Sequence, residues 1–218
     1  MKLENILPTD IERRSMEIIE GELNGINGFS EPELKVLKRV IHTTADFDYC
    51  KNLKFSENAI QSAFDALRSS AVIVTDTHMA MSGISKPAVN KLGCEVQCFM
   101  SDSDVAEKAK LMRITRAAVS MEKAAQLYKD KNVIFVVGNA PTALISLNEL
   151  ITSGKVSPAL IIGVPVGFVN VVQSKEIIMA GNTPYIVAEG RKGGSNVAAA
   201  ICNALLYQLY DRVSGNLF

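Results

Sequence analysis

Apolar residues fall in two patterns along this chain. Unbroken runs, Ala71–Thr75 (AVIVT), Val133–Val137 (VIFVV), Leu160–Gly163 and Tyr185–Val187, read as strands buried on both faces of a parallel sheet. Between them, apolar positions recur at helical spacing. In the stretch VIFVVGNAPTAL, Gly138 and Asn139 break the strand, and Pro141 fits the first turn of a helix, where its missing N–H costs nothing. Strand, tight loop and helix follow one another, with the helix N-terminus opening at the strand's carboxyl end. The device recurs twice. Leu160–Gly163 ends in GVPVGFVN and a helix from about Asn170, and Tyr185–Val187 ends in AEGRKGGS and the long helix Asn196–Leu209. Ligands of open α/β sheets bind at that edge, towards which helix N–H groups and dipoles point.

Ahead of these units the chain is mostly helical. Thr9-Asp10-Ile11-Glu12 reads as a capping box opening a helix to roughly Leu23, and Ser30-Glu31-Pro32-Glu33 opens a second one closing near Thr43. Ala45–Lys54 is polar and irregular in pattern, and Ser56 reads as the cap of a helix over Glu57–Ser69. After AVIVT come a short helix behind His78, another over Ser85–Leu92, a strand at Glu95–Phe99, and a strong helix at Thr115–Tyr128. The pattern predicts a single three-layer α/β/α domain over residues 1–218, with a mostly parallel sheet of about five strands and an N-terminal helical lead-in.

The charge balance narrows the function. Lys plus Arg and Asp plus Glu are 23 each, without the basic excess of a nucleic-acid binder. The first residues lack the apolar core of a secretion signal, and the apolar run around Ala159–Val172 is too interrupted to span a bilayer. A cytoplasmic protein is expected, acting on neither nucleic acid nor membrane. Its four cysteines read as free thiols, Cys94 and Cys98 as core residues without the spacing of a metal site.

Candidate chemistry is sparse. His42, at a helix end, and His78, directly after a strand, are the only histidines. Asn139 and Thr142 flank Pro141, either as helix caps or, with the local N–H groups, as receivers of an anionic group. Arg191, with Gly193 and Gly194 beside it, suits a carboxylate or phosphate approached closely by backbone. Arg116 opens a helix, and Arg14 and Ser15 lie on the first helix, where alone they read as surface. GVPVGFVN is no phosphate loop, since Gly-Lys-Ser/Thr is missing, and it lacks the dinucleotide spacing. With no nucleophile–base pair in the pattern, these groups suit a site that binds a polyanion and needs only proton transfer.

Together RVIHTTAD around His42, GNAPTAL at Gly138–Leu144, GVPVGFVNVVQSKE at Gly163–Glu176 and GRKGGSNVAAA at Gly190–Ala200 resemble the precorrin-8X methylmutase family of cobalamin biosynthesis, in order and over essentially the whole chain. The resemblance implies an isomerase that moves a methyl group from carbon 11 to carbon 12 of precorrin-8X or cobalt-precorrin-8, by a formal 1,5-sigmatropic shift. It implies no cofactor, any cobalt being part of the corrinoid substrate, and a homodimer with sites near the subunit interface. It implies His42 as the proton donor, with Ser15, Arg14, Ser85, Arg116, Asn139, Thr142, Gly167, Arg191, Gly193 and Gly194 around the substrate. His78-Met79 departs from the acidic residue and Met common in the family, which leaves His78 without a role. A corrinoid carrier without catalysis and a nucleotide- or sugar-phosphate-binding enzyme are the competing readings.

Overall fold

The computed structural model describes residues 4–214, with side chains through residue 210, so the extreme ends of the span 1–218 lie outside it. Five strands run parallel: β2 (Val72–Thr75), β3 (Glu95–Gln97), β4 (Val133–Val137), β5 (Leu160–Gly163) and β6 (Tyr185–Ala188). A sixth, β1 (Leu53–Phe55), pairs antiparallel with β6, giving the order β1-β6-β5-β4-β2-β3. The expected five strands are therefore six. The sequence Leu53-Lys54-Phe55 is too short for a periodic signal, and its strand state comes from the partner it meets.

The helices are α1 (Ile11–Glu22), α2 (Glu31–Thr44), α3 (Tyr49–Asn52), α4 (Ala59–Arg68), α5 (His78–Gly83), α6 (Lys86–Lys91), α7 (Ser103–Met112), α8 (Arg116–Leu127), α9 (Pro141–Thr152), α10 (Val171–Met179) and α11 (Ser195–Ser214). They cover both faces of the sheet. One core packs α2, α4 and α11 on one side, where Val36, Leu37, Val40, Ile41 and Ile201 are essentially inaccessible. The other packs α8 and α9 around Met121, Phe135, Leu144 and Leu147. No helix of the described residues is long and apolar enough to cross a membrane.

Two local expectations change. The first helix is led by a 3-10 turn, Pro8–Asp10, with no side-chain cap at Asp10; Glu12 instead reaches Arg39 of α2 at 2.7 Å. Ser56 does not cap a helix, because its backbone N–H and its hydroxyl bond to Tyr185 at the start of β6, and α4 begins only at Ala59. At Ser30 the capping box forms, its N–H and hydroxyl both 2.7 Å from the Glu33 carboxylate.

Helices α2 and α11 lie antiparallel. Gln208 of α11 donates to the Pro32 carbonyl at 3.4 Å, and the Arg39 guanidinium stands 5.4 Å over the Tyr207 ring. One turn further in each direction come His42 and Asn203. Asn203 accepts the Ser85 N–H and donates to the Gly83 carbonyl, both at 2.8 Å, so α11 carries the turn between α5 and α6 on its flank.

The loops after β4 and β6 meet at backbone distance. A Cβ on Gly138 would lie 2.8 Å from the Ser195 Cα and 2.9 Å from both the Gly194 carbonyl oxygen and the Ala198 Cβ. Gly138→Ala is expected to cost about 2 kcal/mol or more by overpacking, since backbone rather than a flexible side chain must give way. A fall in the urea midpoint, with an unchanged m-value, is the measurement.

Candidate functional site

At the carboxyl edge the order of strands switches between β2 and β4, the crevice where α/β proteins bind ligands. Here that crevice is filled from within. Asp76, directly after β2 and wholly buried, accepts the N–H groups of Gly138, Asn139 and Ala140 at 2.9, 2.8 and 2.7 Å. The loop leading into α9 thus closes on the protein's own carboxylate, and of the two readings of this loop its Asn139 and Ala140 N–H groups take the structural one. Burial raises the Asp76 carboxyl above its ordinary range, and the three N–H donors oppose that rise.

The network continues across the edge. The Thr77 and Ser195 hydroxyls meet at 2.8 Å, joining the end of β2 to the start of α11. The Gly194 N–H donates to the Val164 carbonyl at 2.9 Å. Gly193 passes so near that a Cβ would stand 2.0 Å from the same oxygen, at a φ of +156°. Only glycine fits there. Beneath this loop the fully buried Lys175 donates to the carbonyls of Gly190 and Lys192, each at 2.8 Å, and burial pulls its ammonium down to about 8. Lys192 itself reaches Asp46 at 2.7 Å and Asp48 at 2.6 Å, which hold it charged up to about 12. Asp46 and Asp48 follow α2, so this ion triad sets the last turn of α2, and His42 with it, on the same edge as the glycine loop.

The expected residues form two groups. His42 is half-buried, and its ring makes no hydrogen bond to any described residue. Helix α1 crosses α2 where Glu12 pairs with Arg39, so Ser15 lies one turn along α1 and His42 one turn along α2 from that pair. Ser15 donates to the Ile11 carbonyl at 2.9 Å, and the Arg14 guanidinium is engaged by both oxygens of Glu4, at 2.9 and 3.0 Å. Ser85 flanks α11 at the Asn203 turn. The second group sits over the other core. Thr142 meets Thr115 at 2.7 Å, which sets Arg116 beside the start of α9 with Asn139 exposed nearby. Arg116 opens on a groove of about 490 Å³ between α7 and α8. His42 and Arg116 therefore stand on opposite faces of the sheet.

Between the groups lies the loop after β5. Its Gly167 N–H donates to the Arg191 carbonyl at 3.3 Å, and Phe168 and Val169 project into solvent with the Arg191 guanidinium 5.4 Å over the Phe168 ring. Neither Arg116 nor Arg191 forms an ion pair with a described residue, so both cations face outward uncompensated. His78 bonds to the Ser101 hydroxyl at 2.8 Å. Among the described residues, no three His, Cys, Asp or Glu side chains are grouped to hold a metal ion, and all four cysteines are free.

Sequence reasoning passed over Asp76 and Lys175, and noted Lys192 only as a basic neighbour of Arg191 in GRKGGS. Lys175 carried a signal: the buried stripe of α10 is Val171, Ser174, Lys175 and Ile178, so a lysine occupies a core position. Asp76 was marked only by its place at the end of an apolar strand.

Outward cations around the carboxyl edge of a doubly wound sheet, and a half-buried histidine without a hydrogen-bond partner near the end of α2, fit an α/β enzyme. Comparison with known proteins gives the family. The sequence model for precorrin-8X methylmutase (CbiC) matches residues 10–208, and the chain belongs to that family, isomerases of cobalamin biosynthesis. It is 45% identical over 208 residues to the cobalt-precorrin-8 methylmutase of Salmonella typhimurium, covering 94% of this chain and 97% of that one. The cobalt-precorrin-8 methylmutase of Leptospira interrogans is 44% identical over 206 residues, with 92% and 93% covered. The crystal structure of the precorrin-8X methylmutase from Thermus thermophilus superposes with a TM-score of 0.87 at 38% identity, covering 94% of this chain and 97% of that one.

Two outcomes follow from the buried charges. Asp76→Ala orphans three N–H groups and is expected to lower stability by about 3 kcal/mol in urea unfolding, with Asp76→Asn, which keeps one acceptor, in between. Lys175 holds its proton less tightly folded, at about 8, than unfolded, at 10.5. The folded chain therefore carries fewer protons across that window, and the contribution of Lys175 to stability rises with pH from about 8 towards 10.5, by about 3 kcal/mol at most. The stability difference between wild type and Lys175→Met, followed by denaturant unfolding over that range, should grow in favour of wild type.

Proposed function

We propose that this chain moves the methyl group of cobalt-precorrin-8 from carbon 11 to carbon 12, with His42 as the acid. The bond from the methyl group to carbon 11 breaks as its bond to carbon 12 forms, and the ring double bonds shift to match. No atom or electron is gained or lost overall. A proton or hydrogen bond offered by His42 at ring C, to the nitrogen where no cobalt occupies it, draws electron density through the conjugated system as the methyl leaves, and any proton transferred returns to the imidazole afterwards. The protein's remaining task is to hold a large polycarboxylate rigidly. Arg116 and Arg191 suit its peripheral carboxylates, Ser15 on α1 and Ser85 at the turn before α6 offer hydroxyls, and Gly167, Gly193 and Gly194 suit a close approach of backbone to the ring. Asn139 and Thr142 contribute side chains, since the N–H groups beside them are occupied by Asp76. Arg14 takes part only by exchanging its pair with Glu4 for a substrate carboxylate.

The observation that carries this reading is the imidazole of His42, half-buried at the carboxyl edge and without a hydrogen-bond partner among the described residues. The names of the Salmonella and Leptospira relatives support the cobalt form of the substrate. The placing of His42 and Arg116 on opposite faces favours a homodimer, in which a second copy completes the wall that one chain leaves open.

Purified protein mixed with cobalt-precorrin-8, and separately with precorrin-8X, should convert the corrinoid with a change in its absorption spectrum. His42→Ala should bind as tightly and turn over at least about a hundredfold more slowly. Binding without conversion by the wild type would instead mean a carrier, and equal rates in the mutant would remove His42 as the acid.

A further inference from the structure

We propose that Lys192 is a positioning residue, whose ammonium, clamped between Asp46 and Asp48, ties the glycine loop to the end of α2 and so fixes where His42 stands. The inference rests on the reading of His42 as the acid and adds what holds that acid in place.

Both sides of the tie are themselves anchored. On the loop side, Lys175 grips the Gly190 and Lys192 carbonyls from below, and Gly194 bonds to Val164 at the end of β5. The backbone that bears Lys192 is thus fixed to α10 and the sheet. On the α2 side, the helix stops at Ala45, whose φ of +53° places an alanine in the left-handed region. Its N–H still closes on the Ile41 carbonyl at 2.7 Å. Thr44 donates its hydroxyl to Val40 at 2.8 Å and accepts the Asp46 N–H at 3.3 Å, while Asp46 accepts the Asp48 N–H at 2.9 Å. The two carboxylates are therefore presented by a short, internally bonded turn three to six residues after His42. A non-glycine residue in a disfavoured conformation persists when its surroundings over-determine it, and the ion triad supplies that constraint.

The triad has the wrong properties for a stabilising device. The Lys192 side chain is 38% exposed and that of Asp48 62%, so water and salt screen the pairs and their removal costs the fold little. What two short contacts on separate carboxylates do provide is a fixed distance between the loop and the turn. A proton donor needs that more than stability, because a displacement of about 1 Å from the reacting atom costs orders of magnitude in rate.

The test uses the full chain and the variants Lys192→Met, Lys192→Arg, Asp46→Asn/Asp48→Asn and the triple combination. With cobalt-precorrin-8 as substrate, Lys192→Met should lower kcat about tenfold with KM within twofold and the thermal midpoint nearly unmoved. Lys192→Arg, able to span both carboxylates, should recover most of the rate. The triple variant should be no slower than Lys192→Met, because each change breaks the same tie. A loss confined to KM, a loss that Arg does not rescue, or additive losses would overturn the proposal, the first making Lys192 a substrate ligand. The chain has only two histidines, so selectively labelled imidazoles give a second readout that needs no turnover. Lys192→Met should shift and broaden the His42 ring resonances in NMR spectra and leave those of His78 in place. Unmoved His42 resonances would overturn the tie even in an active enzyme. Moved resonances in a protein that converts neither corrinoid would uphold it while the functional reading failed.

Discussion

Three N–H groups at the start of α9 converge on the carboxylate of Asp76, and the carboxyl edge is arranged around that contact. The tight loop between a buried strand and the helix that follows has N–H groups that neither element pairs, and burial without acceptors would leave each of them uncompensated. Asp76 answers them from the neighbouring strand, locking β2 to β4 at the crevice. With the first turn of α9 drawn in, Gly138 lies flat against the start of α11, and no side chain fits between them. The glycine loop, held from the other side by Val164, closes the row.

Filling the crevice from inside moves recognition outward. In nucleotide-binding sheets, the strand-to-helix loop and the helix N-terminus receive the ligand's phosphate, whereas here the N–H groups of that loop are taken by Asp76. Charge recognition passes to side chains on the rims, where Arg116 and Arg191 are exposed and form no ion pair with a described residue. Such an arrangement suits a broad ligand with carboxylates around its periphery better than a compact phosphate seated on one helix. Lys175 contributes differently. Its charge is buried against carbonyl oxygens, where it shapes the loop and bears a desolvation cost that a purely structural apolar residue would avoid.

The parallel units were legible because their strands are uninterrupted apolar runs and their turns carry Gly, Asn and Pro at positions that only a strand-to-helix junction requires. The loops of the site were legible for the same reason. The antiparallel strand at Leu53–Phe55 was not, since three residues have no period and owe their state to a partner more than a hundred residues away. Ser56 misled in the same way: its hydroxyl, read as a cap, serves that distant pairing. Asp76, Lys175 and Lys192 escaped because their significance lies in what they touch. A carboxylate after a strand is unremarkable in sequence until three N–H groups are found pointing at it. His42 drew its weight from the motif around it, and the packing of α2 along α11 places it at the edge where the loops gather.

The two ends of the sheet differ from its middle. β4, at the centre, buries all five of its residues, while the outermost strands β1 and β3 are three residues long and carry the exposed side chains of Lys54 and Glu95. A long, apolar outer strand would offer a row of unpaired N–H and carbonyl groups to any passing chain, the usual route to lateral polymerisation and amyloid. Three-residue stubs that each carry an exposed charge offer almost none. The most sticky ladder in the molecule is thereby kept in the interior, and this protects the enzyme at the concentrations a crowded cell imposes.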